Sequence, residues 1–483
     1  MSGSSLGSFD LAVIGAGVAG SYVAYRAAQL HPDWSIALVE RTERVGGRLY
    51  SRLTGIDGGH VELGGMRFRA GHEKVAQLVD ELGLAKRPFA TGHADNRLFL
   101  RGRSSRAADH GPYPGYDLAP SERGLSIEEL LLCAFDAAVP GAADLDEADW
   151  ARIKREHTYR GRLLRDWRLD ELFRASLSEE AARLIHDAFG YMSGIGPHDA
   201  ADAIPYLFRE ATPLDDQLTL VDGMDRLPQA MAERFEVDGG QVLLAHELAG
   251  FEARPHGAQL LFASGQRARA GRLVLALPRP AVDSLADGAP FLDRSEVRRL
   301  VESTIAYPAL KLYLWYDRPW WRDDGFAGHR MTTDLPLRKS FYLDSIEATD
   351  EPGPALLLAG YGDGTDLDVW RTLDAVAEAF GDPTHAAPEA FLREAEGYLG
   401  QMHGRKSVPK PLGSAVRYWG ADPHMAGWHY WAAGSDSTEV KERISQPDAA
   451  LPVYVCGEAW STAQAWIEGA LESAEAVVDR LAG

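Results

Sequence analysis

Three short stretches of the 483-residue sequence carry side chains whose type and company point to chemistry. In ELGGMRF, Glu62 to Phe68, a permanent positive charge at Arg67 stands between a methionine and a phenylalanine, just after two glycines. Arginine in apolar company calls for an anion, and its planar fork matches a carboxylate. The competing role is an ion pair with an internal acid. In YPALKLYLWYDRPWW, Leu310, Leu312 and Leu314 alternate with Lys311, Tyr313 and Trp315, so the lysine shares one strand face with two rings. A lysine enclosed there is poised to change its charge, whereas on an edge strand it is merely solvated. In GYGDGTD, Tyr361 and Asp363 stand where a strand turns. An acid beside a side-chain pocket would pair with a basic head or an indole N–H, and a solvated turn aspartate carries equal weight.

The elements that position these residues begin with LAVIGAGVAG. Leu11 to Ile14 form an apolar run expected to be a strand buried on both faces. Gly15, Gly17 and Gly20 fit G-x-G-x-x-G, with Ala19 inside the triplet. Gly15 permits the tight turn, Gly17 lets backbone approach a pyrophosphate, and Gly20 lets helix pack on strand. SYVAYRAAQL has helical spacing with Val23, Ala27 and Leu30 on one side, and SIALVE is a second strand ending at Glu40, twenty positions after Gly20. The helix N-terminus suits phosphates and Glu40 suits a ribose hydroxyl. Together these predict an α/β fold with a Rossmann-like dinucleotide site.

The formal charge of −21 argues against nucleic acid and anionic membrane as partners. No apolar run reaches the ~20 residues a bilayer span requires. Cys133 and Cys456, far apart, make a disulfide framework improbable and fit a cytoplasmic location; no cluster has metal-ligand spacing. MSGSSLGSFD reads as a flexible lead without signal-peptide character.

Further stretches carry a resemblance. RTERVGGRLYS follows Glu40, TLVDGMDRLPQAMAERF supplies a Gly-Met turn before a helix, and TTDLP follows the lysine strand. VRYWGADPHMAGWHYWAAG is rich in rings; alternation puts Trp428 and Tyr430 on one side, His429 and Trp431 on the other. The chain closes with VYVCGEAWSTAQAWIEGALESAEAVVDRL: a strand, a Gly-Glu turn and a small-residue helix. With GGMRF, the lysine strand and YGxG, this combination resembles the flavin amine-oxidase family, L-amino-acid-oxidase branch, which includes related tryptophan oxidases and monooxygenases. It covers nearly the whole chain.

The resemblance implies an FAD-binding domain of amine-oxidase/glutathione-reductase type from residues 9–80, 217–300 and 435–483. It implies a mixed-sheet substrate domain from 81–119 and 301–434, and a helical domain over 120–216. It assigns FAD contacts, without a covalent link, to Gly15, Gly17, Ala19, Gly20, Glu40, Arg41, Gly47, Arg48, Gly64, Gly65, Met66, Arg67, Val242, Gly457, Glu458, Trp466 and Ile467. Backbone near Val242 would meet adenine, Arg48 the pyrophosphate and Glu458 the ribityl chain. Arg67 would clamp the substrate α-carboxylate with Tyr361; Trp466, Ala465, Trp428 and Asp363 would line the rest, and Lys311 would act through water at flavin N5. Asp363 departs from the apolar residue usual two places after that tyrosine, and it leans toward basic substrates as the tryptophans lean toward aromatic ones.

The implied reaction transfers hydride from Cα of an L-amino acid to flavin N5. The imino acid hydrolyses to a 2-oxo acid and ammonia, and O2 is reduced to hydrogen peroxide. The alternatives are an amino-acid monooxygenase giving an amide, an amine oxidase of the same fold, and a non-catalytic relative without flavin. A homodimer is implied by the family alone.

Overall fold

The computed structural model describes residues 5–54, 59–89, 91–109, 111–191, 195–210, 216–343, 353–372 and 385–483. Residues 1–4 of the expected lead lie outside these. From residue 5 the lead is no loose tail: strand β1 spans Ser5–Ile14 and pairs in parallel with Arg267–Leu275 from its first residue. The backbone edge of Arg267–Ala270 needs partners, and the polar lead supplies them without needing apolar side chains.

The apolar run Leu11–Ile14 and strand β2, Ile36–Val39, are wholly buried, as a parallel sheet covered on both faces requires. Helix α1, Val18–Leu30, connects them. Among the described residues this sheet has seven strands. Gln241–Leu243, β2, β1, Arg267–Leu275, Gly257–Phe262 and Leu248–Arg254 follow one another, and Val453–Val455 pairs with Arg267–Leu275. Helix α2, Ile467–Ala482, packs beside α1 on one face. Val23 and Ala27 are buried there, but Leu30, the last residue of the helix, is exposed.

A second sheet, of seven strands among the described residues, carries Lys311, Tyr361 and Asp363. We label its main strands β3, Ala309–Tyr316; β4, Arg330–Thr333; β5, Lys339–Tyr342; β6, Ala355–Asp363; and β7, Gly413–Trp419. Their order is β7-β3-β6-β5-β4, continued by Arg97–Leu100 and Arg103–Arg106. Leu310, Leu312 and Leu314 pack on one face with Trp320, Trp321, Tyr342 and Phe391. Tyr313, Phe341 and Leu358 pack on the other, against Leu63, Met66 and Phe89. The segment around GGMRF therefore lies on the ring-bearing face of the lysine strand. Strand β8, Trp428–Trp431, pairs antiparallel with Thr304–Tyr307 in a separate two-stranded sheet. The helices Ile127–Ala138, Glu147–Glu156, Leu169–Ser176, Glu179–Phe189 and Ala200–Glu210 form a separate apolar cluster over the second sheet.

Candidate active site

The first turn after β1 is fixed by backbone. Gly15 has φ +102°, and a Cβ there would come within 2.5 Å of the Ala276 carbonyl oxygen. A Cβ on Gly20 would lie 1.9 Å from the Gly15 oxygen, so Gly20 serves helix packing rather than ligand contact. At Gly17 a Cβ would meet only Gly47 Cα, at 3.8 Å, and the two glycines face each other across the mouth of the turn. Gly17 is the N-cap of α1 and Trp466 that of α2; neither end has a side-chain cap. Both helix N-termini open into one cavity of about 470 Å³, lined among others by Gly15, Gly17, Ala19, Glu40, Arg41, Gly47, Arg48, Gly64, Gly65, Gly457, Glu458, Trp466 and Ile467. Free N–H groups and two positive dipole ends in one cleft suit phosphate and an electron-rich ring oxygen.

The charged side chains around this cleft are largely occupied. Glu40 accepts the Ala16 N–H at 3.0 Å and both the N–H and hydroxyl of Thr42 at 2.9 Å. Arg41 pairs with Asp422. Arg44 donates to the carbonyls of Leu49 and Gly47 and lies 4.1 Å over the Tyr50 ring. Glu458 accepts from the His429 N–H at 2.8 Å and the Ala465 N–H at 2.9 Å on one oxygen. Its other oxygen meets Arg48 at 2.7 Å and His429 Nδ1 at 2.9 Å. Burial pushes this carboxyl up, but Arg48, His429 and these N–H groups outweigh it and hold Glu458 well below the usual range. Its four protein donors make Glu458 an anchor for Arg48 and for Ala465, whose φ of 66° is left-handed.

At the other end of the cavity stand Lys311, Tyr361, Trp419 and Trp428. Lys311 donates to the Glu62 carbonyl at 3.0 Å and the Gly64 carbonyl at 2.5 Å. Burial, helped by the Arg67 charge, lowers its ammonium to about 7. Its Nζ lies 4.7 Å from the Tyr361 ring centroid. Burial raises the Tyr361 hydroxyl to about 12, so it stays protonated and able to donate.

Beyond Tyr361 lies a side-chain cluster of different make. Tyr191, Tyr361 and Trp428 meet edge to face, with centroids 5.1, 6.1 and 6.0 Å apart. Arg67 enters from its loop, its guanidinium carbon 5.3 Å from the Phe341 ring and 5.8 Å from the Phe89 ring. Its Nη1 is buried with no hydrogen-bond partner among the described residues. Its charge acts on Lys311, Tyr361, Tyr191, Arg330 and Lys339. Arg67 thus keeps a buried Nη1 without a partner and makes no ion pair among the described residues.

Several expected residues fall elsewhere. Val242 packs against the core beside β2 and does not line the cavity; His246 to Ala249 do so at that edge. Met66 is 5% exposed and packs with Leu63, Phe89 and Phe341, while Arg67 does not line the cavity. Asp363 is 0% exposed, so it is no wall for a basic substrate head; its charge instead acts on Tyr307, Tyr191, Tyr361 and Lys339. Trp428 and Tyr430 do face away from His429 and Trp431: Trp428 lines the cavity, while His429 binds Glu458. His198 stacks on Tyr430 at 4.7 Å, outside the cavity.

The sequence profile described as flavin containing amine oxidoreductase matches residues 24–482. The chain belongs to this family. Aplysianin-A of Aplysia kurodai is 27% identical over 97% of this chain and 89% of its own length. The flavin-dependent L-tryptophan oxidase RebO of Lentzea aerocolonigenes is 27% identical over 98% of both chains. An L-amino-acid oxidase of Siganus canaliculatus is 24% identical over 96% of this chain and 83% of that one. Among solved structures, a putrescine oxidase double mutant superposes with a TM-score of 0.74 at 18% identity, over 98% of this chain and 99% of that one. Cyclohexylamine oxidase from Brevibacterium oxydans gives 0.73 at 17%, over 98% of each.

As a flavin amine oxidase the chain takes a flavin, and the glycine cradle with its two uncapped helix ends fits one. Neither cysteine lines the cavity; Cys456, raised to about 12 by burial, precedes Gly457 on the sheet side. Tyr191, Arg330 and Lys339 were not singled out by motif. The signal for two of them was present, since β4 and β5 each place a cation in an otherwise apolar or hydroxyl-bearing strand.

Proposed function

We propose that the protein is an FAD-dependent L-amino-acid oxidase, converting an L-amino acid, O2 and water into a 2-oxo acid, ammonia and hydrogen peroxide. One observation carries this reading: Arg67, beside Lys311 and Tyr361, has a buried Nη1 without a partner and no counter-ion among the described residues. A carboxylate on Arg67, with the Tyr361 hydroxyl as second donor, fixes the substrate's acid group. Its Cα–H then faces the end of the cavity where Lys311 stands. Bound FAD supplies the two-electron acceptor and passes the electrons to O2. The reacting amine must be neutral, so activity falls as pH drops through the substrate's own ionisation. We assign no general base. Gly17, Gly47 and the α1 N-terminus would hold the pyrophosphate, and the α2 N-terminus would favour negative charge on the bound flavin. The names of the oxidase relatives agree with this reading.

The test mixes purified yellow enzyme anaerobically with the standard L-amino acids and follows bleaching of the flavin. Peroxide and 2-oxo acid after adding air support oxidation; an amide product replaces it with the monooxygenase. Acid precipitation releases the flavin for mass identification as FAD, without a covalent link. A colourless protein with no affinity for FAD sinks the proposal. No described helix is long and apolar enough to cross a membrane. We keep the homodimer and the cytoplasmic location as proposals, the latter resting on two free cysteines.

A further inference from the structure

We infer that the cluster beyond Tyr361 is built for the second carboxylate of a dicarboxylic L-amino acid, an inference that rests on the oxidase reading above. The argument starts from strand register. Across the second sheet, Arg417 faces Lys311, Lys311 faces Tyr361, and Tyr361 faces Lys339. Arg330 on β4 faces Phe341 on β5. Alternation puts Lys339 and Phe341 on one face of β5, and Arg330 shares that face from β4. The Arg67 guanidinium lies against the same Phe341 ring, at 5.3 Å. Two guanidiniums and one ammonium therefore converge around Phe341, with Lys311 on the side nearer the cavity.

The molecule makes room for this cluster. Lys339 Nζ lies 3.8 Å over the Tyr191 ring centroid and 5.4 Å from that of Phe189. A Cβ on Gly190, where φ is +77°, would come within 2.8 Å of Lys339 Cε and 2.7 Å of Thr332 Cγ2, so only glycine lets the lysine stem pass. Tyr191, Arg330, Lys339 and Tyr361 are each half-buried, and Tyr361 also lines the cavity that holds Lys311 and Trp428.

Like charges gathered here repel, and none of Arg67, Arg330 and Lys339 forms an ion pair that offsets this among the described residues. Asp366 is already held by Arg338 at 2.9 Å. The acids whose fields reach the cluster are Asp363, fully buried, and Glu128, on an exposed helix start. A monocarboxylic substrate answers Arg67 alone. A second carboxylate answers Arg330 and Lys339. A basic side chain would be driven into three cations, and an aromatic one would leave Arg330 desolvated without a partner.

The test compares L-glutamate and L-aspartate with L-glutamine, L-lysine and L-phenylalanine in anaerobic flavin reduction by the holoenzyme. One dicarboxylic substrate is expected to exceed L-glutamine in kcat/KM by roughly 10- to 100-fold, the span of a charge-assisted hydrogen bond. Arg330→Gln should narrow that ratio to about threefold, and Arg330→Lys should restore part of it. Lys339→Gln serves the same purpose if Arg330→Gln does not fold. Independently of turnover, glutarate should perturb the flavin spectrum at lower concentration than butyrate. Equal reduction by glutamine and both dicarboxylic acids overturns the inference and leaves the oxidase reading intact. Failure of every L-amino acid to bleach the flavin overturns both.

Discussion

The nucleotide cleft and the cluster beyond Tyr361 are built on opposite plans. The cleft recognises through backbone: glycines, turns and two helix ends. Its acids, and the arginines flanking them, already have protein partners, Glu40 with Ala16 and Thr42, Arg41 with Asp422, Arg48 with Glu458. The cluster recognises through side chains that carry charge without a counter-ion among the described residues. A backbone site can be complete before its ligand arrives, because N–H groups at a helix end are held by the helix itself. A cation site is stable only with its anion or with depressed charge, and burial indeed lowers Lys311 and Lys339. Flavin retention and substrate choice should therefore fail separately.

Gly17→Val gives the largest effect. A Cβ there meets only Gly47 Cα in the protein, so the fold should survive with its Tm nearly unchanged, while the branched side chain fills the pyrophosphate approach and flavin content falls to near zero by absorbance. A colourless protein that is also unfolded would break the separation. Arg67→Ala should keep the yellow colour and lose on the order of 10³-fold in kcat/KM for amino acids, as expected when one partner of a buried charge pair is removed. A loss below about threefold would remove the clamp. The Gly17 and Arg67 results together test whether cleft and cluster are independent.

Lys311 connects the two regions, and its pH signature is smaller. Its folded value of about 7 lies below the ordinary 10.5, so the folded state binds fewer protons between those limits. Stability should rise with pH across that window in the wild type, and less so in Lys311→Met. The penalty is fully present below pH 7 and gone above 10.5. Thermal denaturation at pH 6 and pH 9 checks this; parallel slopes would mean the lysine is solvated. Smallest of all, Asp363→Asn should change the ratio of lysine to phenylalanine turnover little, since the carboxylate is wholly buried. A selective loss of lysine turnover would restore it as a pocket wall.

How much of this was legible differs between the regions in the same way. The fingerprint glycines, the Glu40 strand end and the Gly-Glu turn before α2 stand where their spacing put them. Val242 did not: its strand pairs with β2, and the cavity edge falls to the residues after it. The polar lead became part of β1 because a neighbouring strand needed partners, which composition does not record. Asp363 was misplaced because one strand face and the other look alike at a turn. Arg330 and Lys339 escaped notice because each is an ordinary basic residue until β4, β5 and β6 are set side by side.

The sequence by itself determined the cleft, since a left-handed turn, a missing Cβ and a helix start are demands met within a few neighbouring residues. Only the tertiary structure decided the cluster. Arg67, Tyr191, Arg330, Lys339 and Tyr361 come from separate segments, and their charges act on one another only once strand register and burial have brought them into a common low-dielectric space.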